Sequence, residues 1–208
     1  MTDAALLTLT QWLSPAFPLG AFAYSHGLEQ AVAAGQVTCA GDLARWLDRI
    51  LTCGGGLADA TLLCATLRGE DTADTARALA TSRERRDETE AQGTAFARTV
   101  TALGTPVPEG LALPVAVGIA ARGLPLRPER IAALYLHAMM ANLVSAAVRF
   151  VPLGQTEGQR VLADLHAAIR DTAARAATLE LDDITACVPG ADLAAMLHET
   201  LPVRIFRT

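Results

Sequence analysis

The chain has no lysine; all 17 of its basic residues are arginine. A Schiff-base lysine, a lysine nucleophile and a P-loop lysine are therefore excluded, and no G-x-x-x-x-G-K-[ST] motif occurs. Aromatic residues are scarce, at 4%. Isoleucine is sparse too, so the residues that favour strands are few, while the strong helix formers Ala and Leu abound. The formal net charge is −5 and basic residues form no long run. That excludes the clustered positive footprint of a nucleic-acid-binding domain. The four cysteines, Cys39, Cys53, Cys64 and Cys187, form no C-x-x-C pair, and no signal-peptide pattern precedes them. A reduced, cytoplasmic setting with mostly packed thiols is expected.

Catalytic and metal signatures are missing as well. The histidines are His26, His137, His166 and His198, and no two stand at i,i+3 or i,i+4. An imidazole metal site would need residues that only the fold brings together. His26, in a packed bend, is the one candidate singled out. No G-x-S-x-G elbow frames any serine. A chain that performs no covalent chemistry is expected; a pocket holding titratable groups of perturbed pKa would favour a helical enzyme instead.

Helical periodicity fills the rest. The spacing predicts helices over about 4–13, 22–34, 43–52, 57–67, 72–80, 83–103, 111–121, 128–150, 156–178 and 193–201. The expected fold is a single all-α bundle of about eight to ten helices spanning 1–208. Asp42 is read as a helix cap, and Thr156 with Gln159 as a capping box. Gly54-Gly-Gly56 marks a helix break or a close approach of another backbone. Ile131–Val148 runs 18 residues without a formal charge, the shortest length considered for a membrane span. His137, Asn142 and Ser145 within it, and Arg130 and Arg149 at its ends, favour a buried central helix and no membrane.

The richest segment is Ser14-Pro-Ala-Phe-Pro-Leu-Gly-Ala-Phe-Ala-Tyr-Ser-His-Gly-Leu-Glu29, which opens with two prolines and places Phe17, Leu19, Phe22 and Tyr24 in a tight bend. So much apolar mass in a turn implies a packed bend. Three further segments stand out: Thr81-Ser-Arg-Glu-Arg-Arg86, Asn142–Arg149 followed by Val151–Arg160, and Met196–Thr200 followed by Arg204–Arg207. The four together, in this order, resemble the UreF family of urease accessory proteins, with Ala23 and His26 standing where Ser and Gln are expected and Leu197, Pro202 and Val203 atypical of the family's tail. The resemblance implies a cytoplasmic, non-catalytic chaperone or scaffold required for nickel-centre assembly in apo-urease. It implies partners UreD (also called UreH), the GTPase UreG and apo-urease, a homodimer, no stably bound cofactor, and nickel handled by the complex. A direct nickel-binding carrier or an unrelated helical enzyme is the alternative.

Partner-binding residues are expected in the matched segments: Phe17, Tyr24, His26 and Glu29 in the bend; Arg83, Arg85 and Arg86; Arg149; and His198, Glu199, Arg204, Phe206 and Arg207 at the C-terminal end. The run Arg83–Glu90 reads either as a solvated face with Arg83–Asp87 and Arg86–Glu90 pairs, or as a docking edge whose arginines reach a partner GTPase. Asn142, Ser145 and Arg149 share a stripe that is either a satisfied polar seam or the wall of a passage or partner surface. Residues 202–208 read as a tail in which an exposed Phe206 orders on a partner.

Overall fold

The computed structural model describes residues 2–207. Among these residues eleven α-helices occur and no strand. They are α1 (Thr2–Trp12), α2 (Leu28–Ala33), α3 (Ala40–Cys53), α4 (Gly55–Arg68), α5 (Ala73–Ala78), α6 (Arg83–Ala102), α7 (Leu113–Ala121), α8 (Pro128–Ala147), α9 (Gln155–Asp164), α10 (His166–Ala176) and α11 (Pro189–His198). The all-α expectation holds. The count exceeds ten because the helix expected over 156–178 breaks at Leu165, giving α9 and α10.

Several local expectations change for local reasons. The helix predicted from residue 22 starts only at Leu28; a 3-10 turn at Ala21–Ala23, extended Tyr24 and the left-handed pair His26 (φ 55) and Gly27 (φ 75) intervene. Asp42 does not cap α3. It lies inside the first turn and accepts from the Thr38 amide and hydroxyl, while Cys39 holds the cap position. Thr156 lies within α9, whose cap is Gly154, so the capping box is not formed. Pro128 opens α8 as expected.

Helices α4 and α8 run through the middle. Residues 60–66 of α4 are all buried, as a helix that is apolar all round requires. Helix α8 packs on α4, α9 and α10 and carries Ile131, Leu136, Met140 and Leu143 into the core. One helical run, Ala40–Arg68, is long and apolar enough by composition to cross a membrane; 72% of its apolar window is buried inside the protein. Gly54 breaks that run between α3 and α4. A Cβ there would stand 2.9 Å from Val188 Cγ2, and one at Gly56 2.8 Å from Leu51 Cα. Both readings of the triple glycine therefore apply.

The aromatic bend closes one end of the bundle. Phe17 packs on Phe96 of α6 with ring centroids 5.8 Å apart, and Trp12 meets the same ring edge-on at 5.9 Å. Such pairs add about 1 kcal/mol each beyond area burial. From α8, Asn142 Nδ2 donates to the Ala21 carbonyl at 2.9 Å and Arg149 Nη1 donates to the Phe22 carbonyl at 3.0 Å. Asn142 and Arg149 of the α8 stripe thus hold the bend by its own backbone, while Asn142 and Ser145 also line a cavity beside it, so both readings of the stripe apply.

Candidate functional site

Two polar clusters lie beneath the bend, both anchored on α6. The helix starts where Ser82 accepts from the Arg85 amide at 3.1 Å. Its inward stripe is Glu88, Gln92, Phe96 and Val100, so the first two turns of a core-facing row are polar. Buried polar groups must be paired, because an unpaired one costs roughly 1–3 kcal/mol.

In the first cluster Arg85 Nη1 lies 2.6 Å from Glu88 Oε2, and Arg85 Nη2 lies 3.9 Å from Asp59 Oδ2. Tyr135 donates its hydroxyl to Asp59 at 2.9 Å. His26 Nε2 sits 2.8 Å from Glu88 Oε1 and 2.9 Å from Arg85 Nη1. With a proton on Nε2 the first contact is a hydrogen bond; without one, the second is. Burial alone would push the Glu88 carboxyl up, but Arg85 and His26 outweigh it and hold it down at about 2. Asp59 and Tyr135 go the other way: burial raises both. These groups floor a cavity of about 320 Å³ walled by Leu13, Phe17, Phe22 and Met139. Titratable groups of perturbed pKa in a pocket are the feature that would favour an enzyme, and the pocket exists. Its carboxylates are each engaged with Arg85 or Tyr135, which is also how a structural ion-pair network behaves.

The second cluster ties the C-terminal segment to the bend. His198, the last residue of α11, is wholly buried between two carboxylates: Nδ1 lies 2.7 Å from Glu84 Oε2 and Nε2 3.0 Å from Glu29 Oε2. Both contacts are hydrogen bonds only when both ring nitrogens carry protons. Glu29 also accepts from the amides of Ile205 (2.8 Å) and Phe206 (3.0 Å), and Glu84 pairs with Arg204 at 2.7 Å. Burial pushes the Glu29 carboxyl up; the bonds from His198, Phe206 and Ile205 outweigh it and hold it below the usual range. Phe206 packs on Phe150 at 4.7 Å under the Arg149 guanidinium at 5.3 Å, and the Arg207 amide donates to the Ala23 carbonyl at 2.7 Å. Gly27 permits this closure: a Cβ there would stand 2.6 Å from the Ala195 nitrogen, and φ 75 disfavours any side chain.

Most of the residues singled out in the sequence therefore converge here, with corrections. Phe206 is only 4% exposed and rests on its own chain, not in solvent. Arg85 is not a mobile arginine; its side chain is 14% exposed and held between Glu88 and Asp59, while Arg83 and Arg86 are exposed. The expected Arg83–Asp87 and Arg86–Glu90 pairs give way to Arg83–Glu199 (2.8 Å), Arg86–Asp87 (3.5 Å) and Arg77–Glu90 (2.8 Å). Tyr24 and Phe17 are buried packing residues. Asp59, Glu84, Glu88 and Tyr135 were not singled out at all. For Glu84 and Glu88 the signal is the α6 row itself, where they and Gln92 continue the spacing of Phe96 and Val100; Asp59 and Tyr135 carry none. Among the described residues no three His, Cys, Asp or Glu side chains are placed to hold a metal ion together.

Outside this polar base, α11 shows the solvent an apolar row, Leu193, Met196 and Leu197, and Val203 and Ile205 extend it along the segment beyond.

The UreF family model matches residues 37–166. Over 99% of its length the chain is 58% identical to a urease accessory protein UreF of Cereibacter sphaeroides (strain KD131 / KCTC 12085), all of which is covered. It is 51% identical to the protein of that name from Jannaschia sp. (strain CCS1), over 98% of this chain and 94% of the relative, and 51% identical to that of Paracoccus denitrificans (strain Pd 1222), over 99% and 97%. With the family model covering more than half of it and these relatives matching nearly end to end, the chain belongs to the UreF family of urease accessory proteins.

Proposed function

We propose that this chain is a non-catalytic cytoplasmic scaffold in urease nickel-centre assembly, and that α11 with residues 202–207 is its docking face for UreD/UreH. The observation that carries this is the exposed apolar row Leu193, Met196, Leu197, Val203 and Ile205 (46–77% exposed). It sits on a base held in place by Glu29, Glu84 and His198. A fixed apolar surface on a segment that carries Arg204 and Arg207 and is tied to Arg83 through Glu199 has the make-up of a protein interface. The exposed Arg83 and Arg86 are the groups available to a bound UreG, and GTP hydrolysis belongs to that partner. Nickel is cargo of the complex, and the assembly works as a homodimer.

The test is co-purification from cells expressing the accessory set. Met196→Asp with Leu197→Asp is expected to abolish capture of UreD while leaving the thermal melt unchanged. Full-yield capture by a folded double variant would refute the assignment. Substitution is preferable to deleting 191–208, because Ala191, Ala194, His198 and Phe206 are buried and their removal would strip the core.

The pocket above Arg85 supports a second reading, an enzyme. It would require turnover by the isolated chain that Glu88→Gln abolishes without unfolding it.

A further inference from the structure

Packed thiols are expected from the sequence, yet Cys39 and Cys187 are exposed, Cys53 is half-buried and only Cys64 is buried. Cys53 is the last residue of α3, and Cys187 lies just before α11. The Cys187 amide donates to the Cys53 carbonyl at 2.8 Å. The residues that follow also lie side by side, since a Cβ on Gly54 would stand 2.9 Å from Val188 Cγ2. We propose that Cys53 and Cys187 are an oxidant-sensitive pair that closes to a reversible disulfide, clasping the α3–α4 joint to the segment leading into α11.

Standard bond lengths place a carbonyl oxygen about 2.4 Å from its own Cα and an amide nitrogen about 1.5 Å from its own. With 2.8 Å between that oxygen and nitrogen, the two Cα atoms are at most about 6.7 Å apart. Disulfides span Cα separations of about 4.4–6.8 Å, so the pair is within bridging range. The Cys53 sulfur rests 3.5 Å from Thr52 Oγ1, a weak contact that rotation about χ1 gives up easily. The other cysteines are poor competitors. Cys39 caps the opposite end of the 14-residue α3, about 20 Å from Cys53. Burial pushes the Cys64 thiol up to about 12, which leaves it almost no thiolate. The oxidant is a peroxide. The exposed Cys187 thiolate attacks one peroxide oxygen, the O–O bond breaks, and the other oxygen leaves as water, giving a sulfenic acid. The Cys53 thiolate then attacks that sulfur, the S–O bond breaks, and a second water leaves. Two thiols lose two electrons and two protons, and hydrogen peroxide becomes two waters. A cellular thiol reverses the bond by exchange. Pairs of this kind in a reducing compartment are transient and sense oxidants, and exposed ones are the labile class. The clasp sits at the entrance of α11 and does not depend on the function proposed above.

The test is oxidation of the full-length protein with hydrogen peroxide, and in parallel with diamide, followed by non-reducing peptide mapping. A linked 53–187 peptide within one chain is expected, lacking two hydrogen masses and restored by dithiothreitol. Amides at the start of α11 should then exchange more slowly, and the melting temperature should rise. Cys53→Ser and Cys187→Ser should each abolish the linked peptide and the rise; Cys39→Ser should keep both. Failure of both oxidants to give the linked peptide, linkage only between chains, or linkage of either residue to Cys39 would overturn the proposal. A bridge that lowers the melting temperature would overturn it too, because it would show that the backbone must distort to close it.

Discussion

The Phe206 amide donates to Glu29 Oε2 at 3.0 Å, across 177 positions of sequence. One carboxylate at the start of α2 thus collects two backbone amides and an imidazole from the far end of the chain. Glu29→Gln keeps the shape but removes the charge that His198 faces. Its expected effect is local: a loss of about 1–3 kcal/mol of docking free energy for 204–207. Hydrogen exchange of the 205–207 amides should accelerate at least roughly tenfold while α4 stays protected. Unchanged protection at 205 and 206 would remove Glu29 from this role.

Gly27 and Gly20 both have positive φ, yet they should respond differently to alanine. Gly20 has nothing within 4 Å of a new Cβ, so Gly20→Ala pays only the left-handed strain, about 1 kcal/mol. Gly27→Ala adds a collision with the Ala194 and Ala195 backbone and should cost more than about 2 kcal/mol in urea denaturation. Equal costs would mean that α11 yields freely.

Three neighbouring arginines separate packing from docking. Arg85→Ala leaves Glu88 buried beside nothing that neutralises it as well, and should destabilise the fold by about 3–5 kcal/mol. Arg83→Ala and Arg86→Ala remove exposed charges and should each cost less than about 1 kcal/mol. If either exposed arginine acts on the proposed partner GTPase, GTP turnover by the two proteins together falls while the melt does not. Unchanged turnover in the Arg83→Ala, Arg86→Ala double variant would exclude that action.

The pH profile has a definite sign. Glu88 is depressed from 4.5 to about 2, so its contribution is fully present above about pH 4.5 and is lost as pH falls toward 2. Glu29, also depressed, acts in the same direction. Asp59 is raised from 3.8, so its ionisation on raising the pH subtracts stability. Glu88→Gln should lower stability at pH 6 and flatten the acid limb between pH 4.5 and 2. An acid limb of unchanged steepness would show that Glu88 is not held down in the folded state.

The helical class and most helix positions were legible, because Ala/Leu periodicity and proline placement act over a few residues. Pro128 opens α8, and Gly35, at φ 70, follows the end of α2. The start of α2 was not legible: the spacing of Phe22, Leu28 and Val32 suits a helix, but His26 and Gly27 take left-handed conformations, and Gly27 meets the α11 backbone. The partners of Arg83 and Glu90 were missed for a similar reason. Local spacing offered i,i+4 pairs, and Glu199 and Arg77 were better placed in three dimensions. The convergence of Glu29, Glu84 and His198 is purely tertiary, although their separate segments had all been marked by resemblance.

The linkage between Glu29 and residues 205–206 also bears on synthesis. Glu29 leaves the ribosome some 175 residues before its amide donors are made, at a few to tens of residues per second. For that interval the bend lacks its contact from the Arg207 amide and the Glu29 carboxylate is left to water. Nascent chains and prematurely terminated products therefore lack the finished surface.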